Sequence, residues 1–290
     1  MAYYQAKFFS CKELLEDLED KLIYDFGAIS VTILDAKDEP ILELGVGEYA
    51  VWSENILQAL FDEEPDKANL ENLCVSGEVT LIAVEKVVDK VWEREWMKDF
   101  RPMQFGKNLW ICPNGFDAPE PDAVNIMLDP GLAFGTGTHP TTALCLEWLD
   151  GVDLKDKIVI DYGCGSGILA IAALLLGARK CYAIDNDPQA LIATMDNAVK
   201  NNVEQNLIAS LPEDFDKTKG DILLANILAK PLLELAPLFS ECCKVSSNLV
   251  LSGILKEQEE LIINGYSGFF DKFEVRQMED WLRVSALKSS

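Results

Sequence analysis

The stretch Ile158-Val159-Ile160-Asp161-Tyr162-Gly163-Cys164-Gly165-Ser166-Gly167-Ile168-Leu169-Ala170 decides the fold. Ile158 to Tyr162 is a short apolar, β-branched run that ends beside an acid, as a buried strand does. Three glycines at alternate positions follow, and Ile168 to Leu176 continues as an unbroken apolar helix. Glycines at such a bend let the backbone reverse sharply and let a ligand approach it closely. The same alternation recurs downstream. Strand Cys181–Ile184 leads to helix Gln189–Asn201, strand Ile222–Ala225 to helix Pro231–Cys243, and strand Leu249–Ser252 to helix Glu257–Asn264. Strands alternating with helices of roughly 10 to 15 residues predict an α/β fold with a doubly wound, mostly parallel sheet. Phe273–Gln277 and Leu282–Leu287 read as a hairpin that completes it.

The glycine spacing narrows the ligand. A dinucleotide fingerprint, G-x-G-x-x-G, places its third glycine at position 168, where this chain has Ile168. Here the third glycine comes one residue early. The resulting D-x-G-x-G-x-G form suits S-adenosylmethionine, which has no pyrophosphate to cradle, and it makes Gly163 and Gly165 cofactor-binding candidates. The next strand ends in Asp185-Asn186-Asp187-Pro188. A carboxylate about twenty residues beyond the loop can accept two hydrogen bonds from ribose hydroxyls, and Asp185 is the candidate. Asp187 with Pro188 reads instead as a helix N-cap and first turn. Asn226, just after the buried run Ile222–Ala225, falls at the carboxyl end of its strand, where open parallel sheets hold ligands. It is the candidate catalytic amide, with an Asx turn before Pro231 as its structural alternative.

A second glycine-rich segment, Leu128-Asp129-Pro130-Gly131-Leu132-Ala133-Phe134-Gly135-Thr136-Gly137-Thr138-His139-Pro140-Thr141-Thr142, is too polar for a core element. It lacks the G-K-[ST] of a phosphate-binding loop. A lid over a bound cofactor is its expected use, with Phe134 covering the adenosine or sulfonium face and Thr142 offering a hydroxyl. His139, the chain's one histidine, precedes Pro140 at a helix start and is not read as a base.

The first 88 residues have a different pattern. Strand Tyr3–Phe9, helix Cys11–Phe26, strand Ile29–Leu34, an ambiguous Val51–Phe61, a weak helix Asp66–Leu73 and strand Val79–Val84 fit a ferredoxin-like β-α-β-β-α-β sandwich. With 19 acidic residues against 6 basic ones, this α+β module is expected to hold a protein and not an RNA. Val91–Phe100, with Trp92-Glu93-Arg94-Glu95-Trp96, reads as an amphipathic helix ended by Pro102 within a linker of residues 89–101, and 102–290 as the second domain. Asn108–Ile111 and Val124–Leu128 are candidate strands at its start.

The formal charge of −24 disfavours nucleic acid as a partner and favours a basic protein. Eight cysteines without a C-x-x-C pair, and a single histidine, predict reduced thiols and no metal site. Met1 to Ser10 carries no basic stretch before an apolar core, and no apolar run reaches membrane-spanning length. A cytoplasmic, monomeric protein away from membranes is expected.

Several of these segments resemble the bacterial methyltransferases of large-subunit ribosomal protein L eleven, the PrmA family. They are LDPGLAFGTGTHPTT at 128–142, VIDYGCGSGILAIAALLLGA at 159–178, AIDNDPQA at 183–190, ANILAKPL at 225–232, LSGIL at 251–255 and WEREWM at 92–97. The resemblance extends over most of the chain. It implies a class I methyltransferase domain with a Rossmann-like sheet, joined to a small substrate-recognising domain. It also implies S-adenosylmethionine as cofactor, and methylation of α- and ε-amino groups on a basic ribosomal protein. Carried over by position, the family's cofactor contacts fall on Thr142, Gly163, Asp185 and Asn226. Related amine methyltransferases often carry Asn-Pro-Pro-aromatic where this chain has Asn226-Ile227-Leu228-Ala229, so an aromatic clamp on the amine is not expected here. Other S-adenosylmethionine-dependent methyltransferases, a nicotinamide-dependent oxidoreductase on the same sheet, and a non-catalytic cofactor-binding module are the alternatives.

Overall fold

Strict alternation along the first strand sets the layout of the N-terminal unit. The computed structural model describes residues 3–37, 52–74, 78–87, 101–113, 116–128 and 139–289. In β1 (Tyr3–Cys11), Ala6, Phe8 and Ser10 point inward and are fully buried. Helix α1 (Leu15–Tyr24) buries Leu15, Leu18 and Leu22, spaced three and four residues apart on one face. β2 (Ser30–Asp35) and β3 (Glu54–Phe61) follow, then a short α2 (Lys67–Glu71) capped by the Asp66 carboxylate, which accepts from Ala68 N at 2.9 Å. β4 (Val79–Val87) ends the series. The strands form an antiparallel sheet in the order β2-β3-β1-β4. Leu70 of α2 shares one core with α1 and the inward residues of β1 and β3. The β-α-β-β-α-β order is therefore present, and the segment left ambiguous in the sequence is the strand β3. The linker helix expected over Val91–Phe100 lies outside the described residues.

The chain divides into compact units at 1–95 and 96–290. The second unit opens with a small sheet of β5 (Met103–Phe105), β6 (Leu109–Cys112) and β7 (Val124–Met127). Its first turn is tied down by Asp150, which accepts from Lys107 N and Asn108 N. Helix α3 (Pro140–Asp150) then leads to the main sheet.

That sheet contains β8 (Ile158–Tyr162), β9 (Lys180–Ile184), β10 (Leu207–Ser210), β11 (Gly220–Asn226), β12 (Cys243–Leu255), β13 (Phe270–Met278) and β14 (Trp281–Lys288). Their order is β10-β9-β8-β11-β12-β14-β13, with β14 antiparallel to both neighbours and the first five parallel. Four helices connect them: α4 (Ile168–Leu175), α5 (Pro188–Lys200), α6 (Ala229–Cys242) and α7 (Glu259–Tyr266). Alternating side chains feed two cores. Val159, Leu224 and Val250 pack with α3 and α4 on one face, whereas Ile160, Leu223, Ala225 and Leu251 pack with α6 and α7 on the other. α4 is buried all round from Ile168 to Leu174, which explains its lack of a polar stripe. Among the described residues no helix is long and apolar enough to cross a membrane.

Candidate functional site

Strand order reverses between β8 and β11, and the crevice at the carboxyl ends of these strands is where such sheets take ligands. The glycine loop sits there. Gly163, Gly165 and Gly167 have φ of 80°, 55° and 77°, a left-handed backbone that side chains disfavour. Gly163 N and Cys164 N donate to Ile184 O of β9 at 2.7 and 3.0 Å. From α5, Thr194 Oγ1 donates to Gly165 O at 3.0 Å and Asn197 Nδ2 to Ser166 O at 2.9 Å. The loop is thus held from both sides. A Cβ on Gly163 would run into the Ile227 side chain, and one on Gly253 into the Ile227 backbone carbonyl. Ile227 is wedged between two glycines that can be nothing larger.

Asp185 closes the loop from β9. Its Oδ2 accepts from Gly165 N at 2.9 Å and its Oδ1 from Asp187 N at 3.0 Å. Asp187 caps α5 by accepting from Gln189 N at 2.9 Å, with Pro188 in the first turn, as the sequence indicated. Asn226 ends β11 and does not form an Asx turn. Its Nδ2 donates across 84 residues to Thr142 Oγ1 at 3.3 Å. Thr142 is buried in the first turn of α3, whose N-cap is His139: Nδ1 accepts from Thr141 N at 3.3 Å. The His139 ring also meets the edge of Trp281, with centroids 4.8 Å apart. Of the sequence candidates, Gly163, Gly165 and Asp185 form one cluster and Thr142 and Asn226 another, joined by Ile227 against Gly163. Phe134 lies outside the described residues, as does the lid from 129 to 138.

Asp161 was legible only as the acid of the loop pattern, and the structure gives it more weight. It is 1% exposed, its Oδ2 accepts from Ala170 N at 3.0 Å, and its Oδ1 is buried without a partner. Burial pushes its carboxyl up to about 7, helped by the charge of Asp185 and opposed by the Ala170 hydrogen bond. An orphan acceptor beside a glycine cradle fits a cofactor with an ammonium group at one end and a ribose at the other. Because the folded-state value lies above the unfolded one, this group's contribution to stability is full below about pH 4 and is lost as pH rises through 7. Asp161→Asn is therefore expected to stabilise the ligand-free protein at pH 8 by on the order of 2 kcal/mol, and by little at pH 4, in urea titrations. Its affinity for S-adenosylmethionine should fall in the same samples.

Comparisons with known proteins agree with this geometry. The family profile described as "Ribosomal protein L11 methyltransferase (PrmA)" matches residues 3–289. A ribosomal protein L11 methyltransferase of Shewanella sediminis is 51% identical over 293 residues, covering 99% of this chain and 100% of the relative. That of Mannheimia succiniciproducens is 50% identical over 290 residues, covering 98% and 99%. The crystal structure of a ribosomal protein L11 methylase from Lactobacillus delbrueckii subsp. bulgaricus matches with a TM-score of 0.61 at 30% identity, covering 66% of this chain and all of that one. A switch-point crevice, a D-x-G-x-G-x-G loop and a sequence match from end to end lead to one conclusion: this chain belongs to the ribosomal protein L11 methyltransferase (PrmA) family, enzymes that use S-adenosylmethionine.

Proposed function

We propose that this enzyme methylates α- and ε-amino groups of ribosomal protein L11, a basic protein of the large subunit, and does so as a cytoplasmic monomer. The observation that carries the reading is the Asn226–Thr142 pair at the end of β11, next to the glycine loop. S-adenosylmethionine, when bound, supplies an electrophilic methyl group. Gly163 and Gly165 offer bare backbone to the cofactor, Asp185 offers carboxylate oxygens to a ribose, and Asp161 an acceptor to an ammonium group. Phe134, in the lid, remains the candidate cover for the adenosine or sulfonium face. The acidic N-terminal unit, residues 1–88, recognises the basic substrate, and residues 89–101 link it to the methyltransferase domain.

Displacement at a methyl group needs little beyond placement, so geometry supplies most of the rate. The attacking amine must be neutral, and a lysine of pKa near 10.4 pays about 4 to 5 kcal/mol for that at pH 7. Asn226 Nδ2 is engaged by Thr142, which leaves Oδ1 to accept an amine N–H and aim the lone pair. No side chain is assigned as a general base. His139 is exposed, and its Nδ1 is occupied in capping α3. Incubation with methyl-labelled cofactor and purified L11 tests the reading. Wild-type protein should label L11 amines, and Asn226→Ala should lower kcat about thirtyfold, the loss of one aligned hydrogen bond in the transition state. An undiminished kcat would remove the amide from the mechanism.

A further inference from the structure

Asn226 is one end of a row of side chains that runs across the sheet beneath α3. Asn226 pairs in register with Ser252 of β12, and Ser252 with Arg283 of β14. Register partners share a face of the sheet. Helix α3 covers this row. Thr142 meets Asn226, and one turn on, the Cys145 side chain faces Ser252, whose hydroxyl donates to Leu282 O, and lies within electrostatic reach of Arg283. Two ladder steps of about 4.8 Å put Asn226 and Arg283 about 10 Å apart, backbone to backbone.

Arg283 is the unusual member. It is 6% exposed, and its Nε is buried without a partner. Among the described residues no carboxylate lies within ion-pairing distance of it, although buried arginines are normally paired. The charged groups that reach it are Glu147 on α3 and Glu274 and Arg276 on β13, all three exposed and screened by water. Cys145 faces it from α3, but burial pushes that thiol up to about 12, so it is neutral at working pH. Asp161 reaches Cys145 from β8. The fold therefore keeps a largely buried positive charge without an ion-pair partner among the described residues, its Nε shut off from water, in the row that leads to the methylation site. A hydrophobic residue in this position would avoid the desolvation penalty, so the packing of the sheet does not account for it.

We infer that Arg283 is a positioning charge for the reaction: its buried guanidinium disfavours the ammonium form of an amine brought to Asn226, so that more of the bound substrate is the neutral nucleophile. The inference rests on the proposed placement of the amine at Asn226. With the two backbones about 10 Å apart, a like charge acting over a separation of that order through a protein medium lowers an amine's pKa by about one unit. Arg283 touches neither substrate nor cofactor. It acts through the field it sets up, as paired cationic groups do in enzymes that need a neutral lysine.

The pH dependence of kcat, measured from pH 6.5 to 10 with an L11-derived peptide carrying one lysine, tests this. Arg283→Met should be about tenfold slower than wild type at pH 7, with the deficit closing as pH approaches that of the free amine. Arg283→Lys should follow wild type. A purely structural role would give a deficit equal at every pH, and that result would overturn the inference. A binding measurement without turnover gives a second readout. At pH 7 the wild type should prefer a peptide with norleucine in place of the lysine, relative to Arg283→Met, by about tenfold. An unchanged preference would overturn the inference even if the Met variant were too unstable to assay kinetically, since Arg283→Gln allows the same comparison. Failure of the underlying reading looks different: the wild type would transfer no methyl to amines, or Asn226→Ala would be fully active, whatever Arg283 does.

Discussion

Replacing Asp185 with alanine should weaken S-adenosylmethionine binding by roughly a hundredfold, the worth of two charge-assisted hydrogen bonds lost together. The carboxylate has two duties. It accepts from Gly165 N and Asp187 N, which fixes the glycine loop against the end of β9. Facing a cofactor, the same oxygens have remaining lone pairs for ribose hydroxyls. Asp185→Asn keeps one acceptor and should lose only about tenfold. Asp187→Ala is the control. It removes a helix cap, costing about 1 kcal/mol of stability, and should leave affinity unchanged. Calorimetric titration of the three variants separates these outcomes. Affinity of Asp185→Ala within threefold of wild type would mean that the ribose is held elsewhere.

Gly163→Ala should abolish measurable cofactor binding and lower stability by about 3 kcal/mol in chemical denaturation. Two separate effects add. A φ of 80° costs an alanine about 1 to 2 kcal/mol by itself. The new Cβ also meets the Ile227 side chain, which cannot retreat because Gly253 holds its backbone from the opposite side. Adding Ile227→Ala to Gly163→Ala removes the collision and leaves the backbone strain. The double variant should therefore bind cofactor better than Gly163→Ala alone. If the second change brought no recovery, Ile227 would not be what confines the loop.

What could be read from the sequence followed the range of the forces involved. The β8 loop, the cap at Asp187 and the alternation of strands and helices depend on neighbours a few residues away, and all were legible. Strands β5 and β10 were not: Met103-Gln104-Phe105 and Leu207-Ile208-Ala209-Ser210 are too short to show a period, and their pairing with β6 and β9 is what makes them strands. β12 runs from Cys243 to Leu255, well beyond the apolar core Leu249–Ser252, since its ladder with β14 continues to Leu255 and a register shift against β11 takes in the residues between Cys243 and Asn248. Helix α6 begins at Ala229, two residues before Pro231, and continues through Pro237. A proline in the first turn loses no hydrogen bond, so Pro231 does not mark the start. In the site, Asp185 and Asn226 were found because strand ends are where such sheets bind. Ile227 between Gly163 and Gly253, and Arg283 below α3, were invisible because they depend on contacts between distant segments. A paired Asn and Thr 84 residues apart leave no local trace either.

The hairpin of β13 and β14 has a kinetic corollary. Its own ladder joins chain neighbours and can zip in microseconds, whereas the seam between β14 and β12 must bring together residues about thirty positions apart. Docking of this preformed ribbon also buries Arg283. The ribbon is bonded to the sheet through the β12–β14 ladder alone, so it can lift off without breaking the ladders between the parallel strands. Amide protons along the β12–β14 seam then exchange through partial opening, while those between β8 and β11 wait for global unfolding.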